Sequence, residues 1–162
     1  MIWAAAGVVL AAILGVSLLF GAPYVPSRKR DIEQAFTDIL RLTSKDTIVD
    51  MGCGDGVVLK LAVAHGAKAV GYEVNPLLVV ISKIRLGKKA IIKWQNGLKA
   101  KWPAGTTVVY VFGVERIMAA VAEKARQHAE VYGKAIKVVS YGFEIPGKKP
   151  ERTVGAYHLY KF

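Results

Sequence analysis

The chain has 162 residues, enough for one ordinary domain and a short additional segment but not for two separate hydrophobic cores. Its 23 Lys and Arg against 12 Asp and Glu give a formal net charge of +11, which favours anionic partners such as acidic lipid head groups, nucleic acid or an acidic protein surface. A single cysteine excludes an intramolecular disulfide. With three histidines far apart in the sequence, no spacing typical of a zinc site is present, and we expect no metal.

The amino-terminal 25 residues contain no charged side chain. Residues 2–20 are mostly apolar, and as a helix they would extend roughly 28 Å, close to the thickness of the hydrocarbon core of a bilayer. Trp3 and Tyr24 flank this stretch, where aromatic side chains favour the membrane interface. A cleaved signal peptide would need a basic start, and a core helix that is apolar all round would need a larger protein to cover it. We therefore expect a transmembrane anchor at residues 1–22 and one domain at residues 23–162.

The orientation of this anchor follows from the basic run Arg28–Arg30 directly after it. Cytoplasmic flanks of membrane spans are enriched in Lys and Arg, so the run predicts that the domain lies on the cytoplasmic side. The expected location is therefore a membrane, crossed once, with the amino terminus outside.

Beyond the anchor, helical and strand patterns alternate along the chain. Ser27 can cap a first helix, whose apolar positions repeat at helical spacing up to Leu42. Strands are predicted at residues 47–50, 68–73, 90–94, 106–112 and 136–143, with a last strand or hairpin arm within 153–162. Helices are predicted at 57–65, from Asn75 onward and at 114–132. This alternation predicts an α/β fold with a doubly wound, mostly parallel sheet.

The first predicted strand ends at Asp50 and is followed by glycine at three alternate positions, Gly52, Gly54 and Gly56. Glycine lets a ligand lie directly against the backbone, and the helix that follows offers free N–H groups to a carboxylate. The dinucleotide-binding pattern G-x-G-x-x-G would place its third glycine one residue later. Asp55 also stands where a pyrophosphate would approach. A carboxylate there suits a ligand that carries an ammonium or a sulfonium, which argues against NAD.

Glu73 closes the second predicted strand, 17 positions after Gly56. A carboxylate in this place accepts hydrogen bonds from the hydroxyls of a ribose. Alone, Glu73 would be an ordinary surface acid at a strand end. Because it follows the glycine turn by one βα unit, we expect it to bind a ribose.

These motifs resemble two sequence motifs of class I S-adenosylmethionine-dependent methyltransferases, here Asp50–Gly56 and Gly71–Pro76. Together with the apolar start, Pro23–Pro26 and Val111–Val114, they more narrowly resemble one subfamily of membrane-anchored lysine methyltransferases. This subfamily contains the enzymes that act on the adenine nucleotide translocase and on the ATP synthase c-subunit. The resemblance spans most of the chain and implies a Rossmann-like fold with S-adenosylmethionine as cofactor.

By this resemblance, the methionine part of the cofactor would lie on the turn formed by residues 50–56, with Tyr24 near its carboxylate. Glu73 would hold the ribose and Asn75 would flank it. The adenine amine would meet Asn96, where the relatives carry aspartate, although the alignment equally allows Gly97. The stretch from Asn96 to Gly105 is too short and broken for a full helix, so we expect a loop there.

The leading functional hypothesis is a protein-lysine methyltransferase that acts on a membrane or membrane-adjacent protein. An RNA or small-molecule methyltransferase and a non-catalytic module that binds S-adenosylmethionine remain as alternatives. The D/N-P-P-Y signature of some amino-methyltransferases is missing after the fourth strand. Phe112 and Glu115 are the nearest candidates for lining the acceptor site, but packing and helix-end charge explain them equally well. Cys53 is expected to pack rather than to react, and no catalytic base is assigned.

Overall fold

The computed structural model describes residues 29–162, with side chains from Ile32 onward. The expected anchor, its orientation and Tyr24 lie outside the described residues and stay predictions. Within residues 29–162, no helix combines the length and the apolar character needed to cross a bilayer.

The described residues form four α-helices, two short helical segments of other types and seven strands. The helices are α1 (Lys29–Gln34), α2 (Val57–Ala64), α3 (Pro76–Leu86) and α4 (Glu115–Tyr132). A π-helical segment (Ala35–Leu40) continues α1, and a 3₁₀ turn (Gly87–Lys89) continues α3. The strands are β1 (Thr47–Met51), β2 (Lys68–Glu73), β3 (Ile91–Trp94), β4 (Val108–Val111), β5 (Lys137–Tyr141), β6 (Arg152–Val154) and β7 (Tyr157–Lys161).

All seven strands belong to one sheet, in the order β3-β2-β1-β4-β5-β7-β6. Strands β1 to β5 pair in parallel, whereas β7 runs antiparallel to both β5 and β6. The predicted doubly wound, mostly parallel sheet is confirmed. Because the chain winds outward from β1 to β3 and then crosses to β4, the strand order reverses between β1 and β4. Open α/β sheets bind their ligands in the crevice at such a reversal.

Helices cover both faces of the sheet. Buried side chains of α1, the π-helical segment, α2 and α3 form one core with Ile48 and Tyr110. On the other face, α4 packs through Met118, Val121 and Ala125 against the alternate residues of the central strands. Residues alternate between the two faces along each strand, and β4 is buried on both. This explains its uninterrupted apolar sequence.

The local signals for helix ends are confirmed where the residues are described. Asn75 caps α3, since its Oδ1 accepts hydrogen bonds from the N–H groups of Leu77 and Leu78 at 3.0 and 3.4 Å. Pro76 occupies the first helical position, where a missing N–H costs nothing. Gly66, with a φ of +83°, follows the end of α2.

The structure refines three expectations. The first apolar stripe is buried from Ile32 to Leu42 as predicted. The helix that carries most of it changes from α-helical to π-helical geometry and is capped by Arg41, whose φ is +48°. No helix lies between β3 and β4, so the loop expected there is confirmed. The last segment, predicted as either a strand or a hairpin arm, forms the hairpin β6–β7.

Candidate cofactor-binding site

The glycine turn joins β1 to α2 and is fixed to the end of β2. The N–H groups of Gly52 and Cys53 both donate to the carbonyl of Tyr72, at 2.8 and 3.0 Å. Gly52 has a φ of +85°, and a Cβ built on it would have no atom within 4 Å. The bare backbone of Gly52 therefore faces open space at the carboxyl edge of the sheet, as a ligand-binding turn requires.

That open space is a cavity of about 200 Å³ at the point where the strand order reverses. It is lined by the ends of β1 and β4, by Val74 after β2, and by the loop after β3. Typical small-molecule sites enclose about 300–1,000 Å³. The cavity formed by the described residues is smaller than this range.

Among the predicted binding residues that the structure describes, Gly52 and Asn96 line this cavity. The side-chain Oδ1 of Asn96 accepts a hydrogen bond from the N–H of Leu98 at 2.9 Å. Gly97 lines the cavity as well, so the choice between Asn96 and Gly97 for the adenine contact stays a prediction.

Glu73 is buried behind the turn, with 7% of its surface exposed. Its Oε2 accepts a hydrogen bond from the N–H of Gly54 at 2.9 Å. Its Oε1 accepts two more at 2.8 Å, from the N–H groups of Val74 and Asn75. A carboxylate offers about four acceptor positions. In this arrangement about one acceptor position is left, on Oε2. Glu73 therefore has room for one ribose hydroxyl rather than the two expected from the sequence.

Asp50 lies beneath the same turn and is 2% exposed. Its Oδ2 is buried without a hydrogen-bond partner in the described part of the chain. Burial raises the pKa of Asp50 well above its ordinary value of 3.8, and the nearby charges of Glu73 and Asp55 raise it further. Two carboxyl groups, those of Asp50 and Glu73, are thus buried under a turn that faces a cavity, with the carboxylate of Asp55 nearby. A ligand that brings a positive charge fits this arrangement, as S-adenosylmethionine does with its ammonium and its sulfonium.

Asp55 is not among the residues that line the cavity. It forms an ion pair with Arg85 of α3, whose Nη1 also donates to the carbonyl of Asp55 at 2.8 Å. The Oγ of Ser82, one turn earlier in α3, donates to the carbonyl of Gly54 at 2.6 Å. These contacts fix the turn to α3, and the contact expected between Asp55 and the ligand stays a prediction.

Sequence reasoning missed Ser82 and Arg85, although one signal for Ser82 was present. It is the single polar residue in the buried stripe of α3, where its neighbours are Leu78, Val79 and Leu86. A polar side chain in such a stripe is normally hydrogen-bonded to a buried group. Here that group is the carbonyl of the glycine turn.

Gly56 shows how closely α3 packs against the turn. A Cβ on Gly56 would lie 2.9 Å from Cδ1 of Leu86 and 3.1 Å from Oγ of Ser82, in addition to the strain of its φ of +82°. Gly142 has the same φ of +82° but nothing within 4 Å of its Cβ position. We expect Gly56→Ala to lower the free energy of unfolding by about 2–4 kcal/mol and Gly142→Ala by about 1 kcal/mol. Equal losses in urea denaturation would show that the contact with α3 contributes nothing.

Cys53 is 4% exposed, and burial raises the pKa of its thiol, with the charge of Asp50 as a further cause. The thiol therefore stays protonated and unreactive. It packs against β2: a Cβ on Gly71 would lie 2.6 Å from Sγ of Cys53. Cys53 is a packing residue, as expected.

The two candidates for the acceptor site line different cavities. Phe112 lines the cavity beside the glycine turn, and its ring meets Tyr141 edge-on with centroids 4.9 Å apart. Glu115 lines a second cavity of about 580 Å³, formed with residues 142–150 after β5. Both cavities open near the start of α4, over the carboxyl ends of β4 and β5.

The strand order, the glycine turn at the reversal point and the buried acid at the end of β2 define the fold of class I methyltransferases. A solved RNA methyltransferase from Salinibacter ruber, in complex with S-adenosyl-L-homocysteine, has this fold with a TM-score of 0.71. It is 23% identical, and the match covers 85% of this chain and 92% of that one.

More specifically, residues 50–152 match the family described as the ANTKMT methyltransferase domain, and the chain belongs to this family. The human lysine N-methyltransferase of the ATP synthase c-subunit is 29% identical over 145 residues, and the rat enzyme is 28% identical over 144. Each match covers 82% of this chain but only 57% and 61% of those relatives. A protein-lysine N-methyltransferase of Saccharolobus islandicus is 25% identical over 138 residues, 82% of this chain and 83% of its own length.

Proposed function

We propose that the chain is an S-adenosylmethionine-dependent protein-lysine N-methyltransferase. The observation that carries this proposal is the glycine turn of a methyltransferase-family domain placed over buried, mutually repelling carboxylates. Lysine as the acceptor is supported by the names of the relatives, which include the enzymes of the ATP synthase c-subunit and the archaeal protein-lysine enzyme.

The cofactor would supply a methyl group already activated on a sulfonium, so the protein has to align the reactants and exclude water. Gly52 offers bare backbone to the ligand, and Asn96 or Gly97 forms the wall after β3. Glu73 offers its remaining acceptor position to one hydroxyl. Asp50 provides negative charge beneath the turn. These residues fit the cofactor without any metal ligand.

The acceptor lysine has to arrive as a neutral amine, against an ordinary pKa of about 10.4. An apolar channel lowers the pKa of an amine because it disfavours the ammonium form. Phe112, Tyr141 and Tyr157 form such an aromatic row: Tyr141 meets Tyr157 with ring centroids 4.8 Å apart and meets Phe112 at 4.9 Å. We assign this row, which runs from Phe112 directly after β4 to Tyr141 on β5 and Tyr157 on β7, to the acceptor lysine.

This assignment predicts a selective defect in the variant Tyr141→Leu. We expect kcat/KM for the protein acceptor to fall about tenfold, because an aromatic pair contributes about 0.5–1.5 kcal/mol beyond its buried area. Affinity for S-adenosyl-L-homocysteine should change less than twofold, since Tyr141 does not line the cavity at the turn. Tyr132→Leu, at the far end of α4, is the matched control. An equal loss in both variants would reject the channel.

As acceptor we propose a lysine-bearing membrane or membrane-adjacent protein, with the chain held at the membrane by residues 1–22 and its domain on the cytoplasmic side. The charge-free start of the sequence and the relatives named for the ATP synthase c-subunit support this proposal.

The test is to incubate the full chain and its Glu73→Gln variant with methyl-labelled S-adenosylmethionine and isolated membranes. Label in a protein band, mapped by mass spectrometry to a methylated lysine and absent with Glu73→Gln, is expected. Label only in RNA or small molecules, or binding without any transfer, would overturn the proposal.

A further inference from the structure

One segment of the chain concentrates positive charge and contains no acidic residue of its own. Between Glu73 and Glu115 the sequence contains seven Lys and Arg residues and no Asp or Glu. Within the described part of the chain, Arg85 pairs with an acid, Asp55 from the glycine turn. Lys83, Lys88, Lys89 and Lys93 are exposed.

The same segment also exposes large apolar side chains. Five such side chains in residues 32–162 are more than half exposed, and four of them lie within residues 80–94. Ile84 is 80% exposed, Trp94 66%, Ile91 59% and Val80 52%. Single exposed apolar residues are ordinary, but a group of them on one surface indicates a binding site.

The fold brings these side chains to one edge of the molecule. Val80 and Ile84 are one helical turn apart on the outer side of α3, whose inner side holds Leu78 and Leu86. Ile91 and Trp94 lie on β3, which is the edge strand of the sheet and packs beside α3. We call this surface, formed by the outer side of α3 and by β3, the β3 edge.

The combination of apolar and basic groups selects among anionic partners. A nucleic acid would pair with the lysines but would leave the aliphatic side chains of Val80, Ile84 and Ile91 without an apolar partner. A second copy of the chain would bring an identical, acid-free surface against the first, so like charges would face each other. The interface of an anionic bilayer satisfies both groups, because aliphatic side chains and tryptophan enter the head-group boundary while lysines meet the acidic lipids.

We propose that the β3 edge is a docking surface for an anionic lipid bilayer. This contact is made by the folded domain and is separate from the proposed anchor at residues 1–22. It also has a consequence for the cofactor site. The indole Nε1 of Trp94 donates to the carbonyl of Val74 at 2.8 Å, and Val74 lines the cavity beside the glycine turn. Docking therefore places the mouth of that cavity next to the membrane surface.

The contact can be read out locally, without relying on overall membrane binding. The full chain carries three tryptophans, of which Trp102 is 2% exposed and Trp3 lies in the apolar start. In the variant Trp3→Phe, quenching by lipids brominated on their acyl chains reports mainly on Trp94. The chain is reconstituted into vesicles of phosphatidylcholine alone or with about 30% phosphatidylserine. We expect quenching of Trp94 only with phosphatidylserine, and its loss as salt shortens the range of the lysine charges.

Two matched variants in this background separate local from overall charge. Lys83→Gln with Lys88→Gln should lower the ratio of docked to undocked chain roughly 20-fold, since each basic residue near an acidic bilayer contributes about fivefold. Lys45→Gln with Lys134→Gln removes the same charge from exposed positions before β1 and β5, which lie two and four strands away from β3 in the sheet, and should change the ratio less than twofold. Ile84→Gln should also reduce quenching, because it removes an exposed apolar group without touching the core.

Five results would overturn the proposal. Absent quenching, or equal quenching in both kinds of vesicle, would exclude docking on acidic lipid. Equal effects of the two lysine pairs would show that quenching depends on the net charge of the chain and not on the β3 edge. Trp94 fluorescence that responds to RNA and not to lipid would assign the β3 edge to nucleic acid. Protection of the β3 amides from hydrogen exchange that rises with protein concentration, without lipid, would assign it to a second copy.

Discussion

Replacing Glu73 with alanine is expected to lower the free energy of unfolding by about 3 kcal/mol or more and to weaken binding of S-adenosyl-L-homocysteine about 10- to 100-fold. The carboxylate accepts three backbone N–H groups, those of Gly54, Val74 and Asn75. Each buried N–H left without an acceptor costs about 1–3 kcal/mol. The same carboxylate holds the one acceptor position offered to the ribose. Thermal denaturation and calorimetric titration measure the two effects.

The two effects of Glu73→Ala are separable. Titration at a temperature where circular dichroism shows the variant fully folded removes the contribution of unfolded chain to the apparent affinity. Glu151→Gln, which neutralises an exposed acid, is the control and should change neither quantity. Folded Glu73→Ala with unchanged affinity would show that Glu73 supports the turn without contacting the ligand.

Glu73 also shows how far the sequence predicts the site. Its position, one βα unit after the glycine turn, predicts a ribose contact. The hydrogen bonds that it accepts from Gly54 and from the start of α3 have no sequence pattern of their own. They depend on a glutamate side chain turning back toward a loop 19 residues earlier. Local spacing therefore predicts which residue contacts the ligand. It does not predict how many acceptor positions of that residue are already used by the protein's own N–H groups.

The contacts of Asp55 are not predictable for a related reason. The spacing of the turn argues against a diphosphate beside it, but the partner of Asp55 is Arg85, 30 residues later and on another helix. Ser82 contacts the same turn across 28 residues. Contacts of this kind arise only when α3 packs against the glycine turn. Sequence periodicity therefore predicts the helix and its buried side, but not the groups that the buried side contacts.

The larger elements were predictable because their signals are local. Continuous apolar sequence identified β4, and a capping asparagine with proline identified the start of α3. The position of β7 between β5 and β6 was not predictable, since only the pairing of Val139 with Leu159 and its neighbours defines it. Similarly, the exposed apolar side chains of the β3 edge look like core residues until the sheet order shows that β3 is an edge strand.

Asp50→Asn is expected to make the domain more stable and a poorer binder at the same time. In the native state, burial and the charges of Glu73 and Asp55 raise the pKa of Asp50 above the 3.8 that an unfolded chain shows. The folded protein then binds a proton more tightly than the unfolded one, so the stability of the wild type falls as pH rises above about 3.8 toward the native pKa. Asparagine does not titrate, and the variant should gain about 1–3 kcal/mol over the wild type at pH 7.

The pH dependence and the ligand affinity together test this account. The stability difference between Asp50→Asn and the wild type should be smallest near pH 3.8, should grow as pH rises, and should level off above the native pKa. Affinity for S-adenosylmethionine should fall about 10- to 100-fold, because a charge-assisted hydrogen bond contributes about 1.5–3 kcal/mol. The isosteric control Glu151→Gln should show neither change.

A variant that is less stable at every pH would mean that Asp50 has an internal partner, whereas unchanged affinity would mean that its charge does not serve the ligand. Greater stability with weaker binding would show that the unpaired carboxylate is kept for the cofactor at the expense of the fold.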